Sequence, residues 1–312
     1  MPVALRTLLP VHSTISPRQG VVVVVFDITS KTVDDLFLLV PDHQAVDILN
    51  GILARAQQLF EQLDLYNYFF MSNHFHWLLG VPDLVAKSVV LEWVNREIAK
   101  RINKLRRRTG PLLTRNHAIQ VTTLEHAIER MRYIMGQGTA QLLSRHPADD
   151  VFACANPALL KGEAIEGTFV HAGGRKERLR VRLDRLPGFG HLSPQAYRAF
   201  LWELADSVAA EHRPRRKKAG LPVPDPEAVR RVDPFTRPKE RKRSPAPVVH
   251  GPPEHVEEWH QHQAEIRDAY STSSRAFRAW QADPTQPMVP WPPYTLPPAF
   301  ARKALRARVE DG

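Results

Sequence analysis

The feature that most restricts the fold of this chain is a pair of apolar runs joined by a short turn, within residues 66–80. Both runs have the composition of β-strands, and the tight turn Met71-Ser72-Asn73 predicts that they pair as a hairpin. His74 and His76 open the second strand. Residues two apart on a strand point to the same face, so the two imidazoles project to one side of this hairpin.

Two imidazoles side by side on a strand are suitable ligands for a divalent metal ion. The same pair is compatible with two half-exposed polar residues that bind no metal, and the spacing alone does not separate these interpretations. The single cysteine, Cys154, excludes an internal disulfide framework and a cysteine-based zinc site. That cysteine usage is typical of a reducing cytoplasm.

Hydrophobic periodicity predicts the elements before the hairpin. The β-branched run at residues 21–26 indicates a strand buried on both faces, after which the polar residues 27–31 are expected to leave the sheet. The apolar run at residues 36–40 favours a short second strand over the lead-in to a helix. Asp42 is placed to cap a helix with apolar residues at helical spacing.

After the hairpin, Asp83 starts a long helix, residues 112–121 form an extended segment, and Thr122 or Thr123 caps a further helix. The resulting order of elements predicts an α+β fold in which helices pack on an antiparallel sheet. Beyond about residue 145 the pattern loosens into two helical stretches, at 193–210 and 254–280, among proline-rich segments. The basic clusters at residues 213–218 and 237–243 predict mobile segments.

The net charge of +10 for 312 residues favours a polyanionic partner, most simply a nucleic acid. The long helix after Asp83 carries many of these cations opposite its apolar face. The candidate phosphate contacts on and after this helix are Arg96, Lys100, Arg101, Lys104, Arg106, Arg107 and Arg108. For any one of them, a solvated surface position is an equally good interpretation.

A second pair of polar residues lies on the helix that follows Thr123. Tyr133 and Gln137 are four apart, so the phenol and the carboxamide are expected on one helical face. A tyrosine can attack a phosphodiester when a cation offsets the phosphate charge, and a carboxamide oxygen can be a third metal ligand. Taken alone, Tyr133 is better explained as a core aromatic residue with a hydrogen-bonded hydroxyl.

These residues carry a resemblance to a known family. His74-Phe-His76 matches the histidine-hydrophobic-histidine (HUH) pattern, and its surroundings resemble the signature of single-tyrosine transposases of the insertion-sequence-200-like and REP-associated groups. That family places its nucleophile on a downstream helix in a Tyr-x-x-x-Gln form, which Tyr133 to Gln137 matches. The resemblance spans roughly residues 15–145.

The resemblance implies a ferredoxin-like antiparallel sheet with helices packed on it, in a catalytic domain at residues 15–145. A basic, partly helical and proline-rich region would follow at residues 146–312. It also implies metal-dependent cleavage and rejoining of single-stranded, hairpin-associated DNA through a 5′-phosphotyrosine. Tyr133 would be the nucleophile, and His74, His76 and Gln137 would hold Mg²⁺ or Mn²⁺.

Three features depart from the family pattern, of which Ser72 in place of a common proline in the turn should be harmless. The first strand often ends in His-x-x-x-Arg, where this chain has Asp27 and Lys31, so Lys31 would supply the cation that contacts DNA. REP-associated members usually follow the tyrosine motif with Asn-Pro, whereas Gly138 follows Gln137 here.

Two other classes of function remain open on the sequence. The fold could serve as a DNA-binding regulator with idle chemistry, or the histidines could belong to a metal hydrolase that forms no covalent adduct. No signal peptide or membrane span is expected, which favours a cytoplasmic protein. The resemblance implies a nucleoid-associated protein of bacterial type. The sequence leaves open whether the protein is a monomer or a homodimer.

Overall fold

The structure is a computed structural model that describes residues 14–114, 116–220, 222–238, 252–292, 297–298 and 301. The chain divides into two compact units, residues 12–250 and the residues from 251 onward. The predicted catalytic domain lies within the first unit. That unit also holds residues 146–250, which the sequence assigns to the C-terminal region.

The first unit is built around an antiparallel sheet. Its strands, and the separate hairpin that follows them, are β1 (Thr14–Ile15), β2 (Val22–Lys31), β3 (Asp64–Phe70), β4 (His74–Val81), β5 (His117–Val121), β6 (Ala153–Cys154), β7 (Ile165–Val170) and β8 (Lys176–Val181). The sheet has the order β1-β2-β4-β3-β6, and β5 also pairs with β2. Among the residues that the structure describes, strands β7 and β8 pair only with each other.

Helices fill the connections between these strands. They are α1 (His43–Leu59), α2 (Leu84–Leu105), α3 (Leu124–Met135), α4 (Gln137–Ala140), α5 (Asn156–Lys161), α6 (Pro194–Ala219), α7 (Pro226–Arg230) and, in the second unit, α8 (Pro253–Ala282). Asp42, Asp83 and Thr123 cap α1, α2 and α3 by accepting hydrogen bonds from backbone N–H groups of the first turn. The predicted α+β class with helices on an antiparallel sheet is confirmed.

The two faces of the sheet are covered by different helices. On one face, Tyr68 donates a hydrogen bond to Asn50 of α1 (2.9 Å), and Lys87 of α2 lies over the ring of Phe26. On the other face, α3 packs against β3 and β4. Because side chains alternate along β4, Phe75 faces α1 and α2, whereas the histidines at its start share the face that α3 covers.

The prediction that residues 27–31 leave the sheet is wrong. Strand β2 continues to Lys31, where it pairs with β4 so that Thr29 lies opposite His76 and Lys31 opposite His74. Its polar residues stay in the sheet because Asp27, which is 1% exposed, forms an ion pair with Arg130 of α3. The polar end of β2 therefore places Asp27, Thr29 and Lys31 on the same face of the sheet as the two histidines.

The prediction of a strand at residues 36–40 is also wrong. Leu38, Leu39 and Val40 are buried, but they form a turn rather than a strand. Arg106 explains this, because its guanidinium donates hydrogen bonds to the carbonyls of Leu38 and Val40 (3.0 Å each). The apolar run therefore buries its side chains without needing a partner strand for its carbonyl groups.

The hairpin β7–β8 was not anticipated from the sequence. It packs on α1, and the two backbones approach so closely that a Cβ at Gly167 would lie 2.5 Å from the carbonyl oxygen of Asp47. Helix α6 also differs from its prediction, since it continues past residue 210 through Pro214 to Ala219. Residues 213–218 are therefore helical. The second basic cluster lies outside the described residues from position 239 onward.

In the second unit, the predicted helix at residues 254–280 is confirmed as α8. Phe277 is buried and its ring contacts Trp291, while the Ser273 hydroxyl donates to the Pro290 carbonyl (2.8 Å). These contacts hold part of the proline-rich segment against α8. None of the helices in the described part of the chain is long and apolar enough to cross a membrane.

Candidate active site

His74 and His76 occupy the start of β4, and their ring centroids are 5.1 Å apart. Strand periodicity puts both rings on the face that α3 covers. The neighbouring strand β2 contributes Thr29 beside His76 and Lys31 beside His74. The predicted pairing of the two imidazoles on one face is therefore what the structure has.

Hydrogen bonds from neighbouring residues orient both rings. The Nδ1 atom of His76 lies 3.0 Å from the Thr29 hydroxyl, and the Nδ1 atom of His74 lies 2.8 Å from the Asn73 side-chain oxygen. The remaining ring nitrogen of His76, Nε2, is buried and has no hydrogen-bond partner among the described residues. A buried imidazole nitrogen without a partner is costly in a fold, and it is the atom that a metal ion would use.

Both histidines are expected to be neutral at neutral pH. Burial, and to a smaller extent the charge of Lys31, lower the pKa of His74 to about 4, although a hydrogen bond with Gln137 opposes the shift. Burial also holds the pKa of His76 well below its usual range, and His74 and Arg130 add to this effect. Because the neutral imidazole is the form that binds metal, no proton has to leave before a metal ion binds.

Gln137 lies at the start of α4 and is 4% exposed. Its side-chain nitrogen donates a hydrogen bond to the backbone carbonyl of Tyr133 (3.0 Å). The carboxamide also hydrogen-bonds with His74. These contacts bring the predicted third ligand next to the histidine pair.

Tyr133 lies in the last turn of α3, with its ring at right angles to that of His76 and 5.2 Å away between centroids. Its side chain is 47% exposed, so a large substrate can reach it. The guanidinium carbon of Arg130 lies 4.3 Å from the centre of the Tyr133 ring, in cation–π contact. Arg130 is held in turn by its ion pair with the buried Asp27.

The single helix predicted to carry both Tyr133 and Gln137 is interrupted. Helix α3 ends at Met135, and Gly136 separates it from the short α4. The Gln137 side chain still reaches the backbone carbonyl of Tyr133, because Gly136 keeps a helical conformation (φ −81°, ψ 0°) and the chain continues in nearly the same direction.

Buried polar residues support this joint from behind. Asn156 donates hydrogen bonds to the Met135 carbonyl (2.9 Å) and to the Asp150 carboxyl (2.7 Å). Gly138 lies directly against them, because a Cβ there would overlap Asp150 Oδ1 and lie 2.7 Å from the Ser144 hydroxyl. Burial raises the pKa of Asp150 to about 7.

The predicted DNA-binding residues fall into two places. Lys31 lies beside His74. The other predicted DNA-binding residues belong to α2 or directly follow it, and α2 packs on the opposite face of the sheet. Arg96, Lys100, Lys104 and Arg107 are exposed. Three others are held by the protein: Arg101 by Glu97 and the Val170 carbonyl, Arg106 by Asp42 and the turn at residues 38–40, and Arg108 by Asn103. The DNA-binding roles of these three stay predictions, and their internal contacts weigh against them.

Sequence reasoning missed the residues that surround the four predicted ones. Asp27, Thr29 and Arg130 were not selected, although Asp27, Thr29 and Lys31 alternate along β2 in the manner of a strand with one polar face. That alternation is the sequence signal that could have identified Asp27 and Thr29. No local pattern connects Asp150 and Asn156 to Tyr133, because their contacts form only in the folded chain.

The donor set fits a divalent ion of intermediate hardness. Two neutral imidazoles and a carboxamide oxygen suit Mn²⁺ at least as well as Mg²⁺, which prefers oxygen ligands. Among the residues that the structure describes, no group of three or more His, Cys, Asp and Glu side chains is arranged to hold a metal. The unpaired Nε2 of His76 is the observation that favours a ligand at this position.

No protein-family model and no curated protein matches the chain. One solved structure to which it is similar is that of a REP-associated tyrosine transposase bound to a REP hairpin. The TM-score is 0.38 and the sequence identity 10%, over 50% of this chain and 82% of that one. At that TM-score the likeness carries no argument about this chain.

Proposed function

We propose that the protein is a metal-dependent tyrosine transposase that nicks and rejoins single-stranded DNA. The observation that supports this most directly is the convergence of a half-exposed tyrosine with two neutral, oriented histidines and a carboxamide. The Tyr133 ring lies 5.2 Å from that of His76, and Gln137 contacts both Tyr133 and His74. Such a set combines a nucleophile with ligands for a charge-neutralising metal ion.

The proposal includes the ferredoxin-like form of the HUH fold for the catalytic domain. Its support is the succession β2-α1-β3-β4-α2-β5, with α1 and α2 on one face of the sheet and every neighbouring pair of strands antiparallel. This arrangement leaves the other face for the helix that carries the nucleophile. The domain limits at residues 15 and 145 stay a prediction.

In the proposed reaction, the Tyr133 oxygen attacks the phosphorus of a DNA phosphodiester. A tyrosine–phosphate bond forms at the 5′ side, and the bond to the 3′ oxygen breaks. The phenolic proton passes to solvent, which reaches the half-exposed ring, and the leaving 3′ oxygen takes up a proton from solvent. Rejoining reverses these steps with another 3′-hydroxyl and needs no nucleotide cofactor, because the phosphotyrosine retains the energy of the phosphodiester.

The other residues of the site would bind the metal ion and orient the reacting groups. His74, His76 and Gln137 would hold Mn²⁺ or Mg²⁺, which supplies positive charge to offset the charge that develops on the phosphate. Thr29 and Asn73 keep the imidazoles oriented, and Arg130 fixes the ring of Tyr133 by stacking on it. Lys31 adds a cation beside the histidine pair.

The test uses a labelled single-stranded oligonucleotide that carries an imperfect hairpin, incubated with the protein and Mn²⁺. We expect a protein–DNA species that survives SDS and that disappears in Tyr133→Phe. Tyr270→Phe, which removes a hydroxyl in the second unit, is the matched control and should form the adduct. Persistence of the adduct in Tyr133→Phe would show that the nucleophile is wrong.

A double variant tests the metal ligands. His74→Ala combined with His76→Ala should abolish adduct formation while DNA binding persists. Intact cleavage in this double variant would show that the metal site is wrong. In the parent protein, cleavage that yields free 5′-phosphate without an adduct would favour a metal hydrolase. DNA binding by the parent protein without any cleavage would favour the regulator with idle chemistry.

A further inference from the structure

Helix α6 ends in a dense group of cations that the proposed function does not use. We call Arg213, Arg215, Arg216, Lys217 and Lys218 the basic end of α6. The sequence contains no acidic residue between Glu211 and Asp225, so nothing within this stretch neutralises the group. Arg213, Lys217 and Lys218 are exposed and make no ion pair within the described part of the chain.

The basic end is fixed against the segment that follows Tyr133 and Gln137. Arg215 donates a hydrogen bond to the Ala140 carbonyl (2.8 Å), and Arg216 donates to the carbonyls of Leu142 (3.2 Å) and Ser144. One turn earlier, His212 hydrogen-bonds with the Thr139 hydroxyl (2.8 Å). These bonds hold the helix in place beyond Pro214, which itself has no N–H to donate.

Further contacts connect α6 with α3 itself. Arg132, the neighbour of Tyr133, forms an ion pair with Glu211 and hydrogen-bonds the Ser207 hydroxyl (3.4 Å). Val208 packs so closely that a Cβ added to Gly136 would lie 2.8 Å from it. The basic end therefore lies beside the end of α4 and the residues that follow it, on the nucleophile's side of the sheet, whereas α2 lies across the sheet.

From this placement we infer that the basic end of α6 is a binding surface for the backbone of single-stranded DNA at the nucleophile. The inference rests on the proposed function for its substrate. Closely spaced cations without intervening carboxylates complement a polyanion, and exposed Arg and Lys side chains reach successive phosphates without reading base sequence. Arg215 and Arg216 serve mainly to anchor the helix, which leaves Arg213, Lys217 and Lys218 for the DNA.

The test measures binding separately from chemistry. All variants are made in a Tyr133→Phe background, and binding to a fluorescent dT20 oligonucleotide is followed by anisotropy over a range of salt concentrations. The α6 variant combines Arg213→Gln, Lys217→Gln and Lys218→Gln. Loss of three phosphate contacts should reduce the slope of log Kd against log salt by about 2, since each contact to a single strand contributes about 0.7.

The charge-matched control combines Arg175→Gln, Lys176→Gln and Arg180→Gln in the β7–β8 hairpin, which packs on α1. It should keep the slope of the parent protein. An α6 variant with the slope of this control would overturn the inference. Circular dichroism and thermal unfolding of both variants check that each is folded, and glutamine preserves helix propensity.

An adduct assay with Tyr133 intact then separates this inference from the proposed function. The α6 variant should form adduct more slowly at limiting DNA and at the normal rate at saturating DNA. If no version of the protein forms an adduct, the proposed chemistry fails, while the binding slopes still decide the role of α6.

Discussion

At the scale of single residues, the candidate site depends on small polar side chains that determine which histidine ring nitrogen is available to a metal ion. Thr29 engages Nδ1 of His76 and thereby leaves Nε2 for a ligand. Histidine ligands in proteins commonly have such a partner on the second nitrogen, which fixes the ring and its tautomer. A residue with no direct role in the chemistry therefore controls a proposed metal ligand.

Replacing Thr29 by valine tests this control. The change keeps the shape of the side chain but removes the hydroxyl, so we expect Mn²⁺ affinity to fall by about 10- to 100-fold. Titration calorimetry or Mn²⁺ electron paramagnetic resonance measures the effect. Thr29→Ser keeps the hydroxyl and should bind Mn²⁺ nearly as the parent does; an equal loss in both variants would point to packing rather than to the hydrogen bond.

Asp150 gives a prediction about pH. Burial raises its pKa from 3.8 in the unfolded chain to about 7 in the folded protein. The neutral acid is therefore favoured by folding, and its contribution to stability is complete below about pH 4 and is lost as the pH rises through 7.

We expect Asp150→Asn to be more stable than the parent at pH 8 by about 1–4 kcal/mol and nearly equal to it at pH 4. Urea unfolding at a series of pH values measures the difference. Burial also raises the pKa of Asp27 and Asp184, so the variant should keep a smaller dependence on pH. A variant whose stability changes with pH as steeply as the parent's would contradict this account.

At the scale of elements, the joint between α3 and α4 determines where the nucleophile and the third ligand lie. The four-residue spacing from Tyr133 to Gln137 predicts that the two side chains share a face; the structure shows the Gln137 side chain bonded to the backbone carbonyl of Tyr133. The spacing did not predict the interruption at Gly136, because the close approach of Val208 on α6 is a tertiary contact. Local periodicity reports which residues share a face, but it carries no information about distant helices.

Gly138 is the position at which this joint is most sensitive. Gly138→Ala adds a methyl group that must displace the Asp150 carboxyl and the Ser144 hydroxyl, so we expect a loss of about 1–3 kcal/mol in the free energy of unfolding. Gly173→Ala is the control, since a Cβ there has no neighbour within 4 Å. Urea unfolding compares the two; equal stabilities would show that the buried pocket yields without cost.

At the scale of the whole molecule, the sequence was most informative about elements with strong periodicity. The hairpin with its histidines, the capped helices α1 to α3 and helix α8 were all predicted. The turn at residues 36–40 was not predicted, because this apolar run has the composition of a strand. The hydrogen bonds from Arg106 that replace a partner strand are not visible in the sequence. The place of residues 27–31 in the sheet was not predicted either, since Arg130, the partner of Asp27, is distant in sequence.

Contacts between distant residues also determine which cations lie near the candidate site, and the sequence analysis placed most of the DNA-binding residues on α2. Their number on that helix is visible in the sequence, but the face of the sheet on which the helix packs is not. The structure associates α2 with Phe26 on one face and Tyr133 with His76 on the other. The net charge thus predicts the class of partner, whereas the surface that binds this partner depends on the topology of the fold.

The hydrogen bond from Gln137 to the Tyr133 carbonyl has a consequence for how the site could be switched off. It joins the nucleophile and one proposed ligand into a single body on the helical side, opposite a second body formed by the two histidines on the sheet. A displacement of α3 would withdraw Tyr133 and Gln137 together. Metal affinity and nucleophile position would then change in a single step.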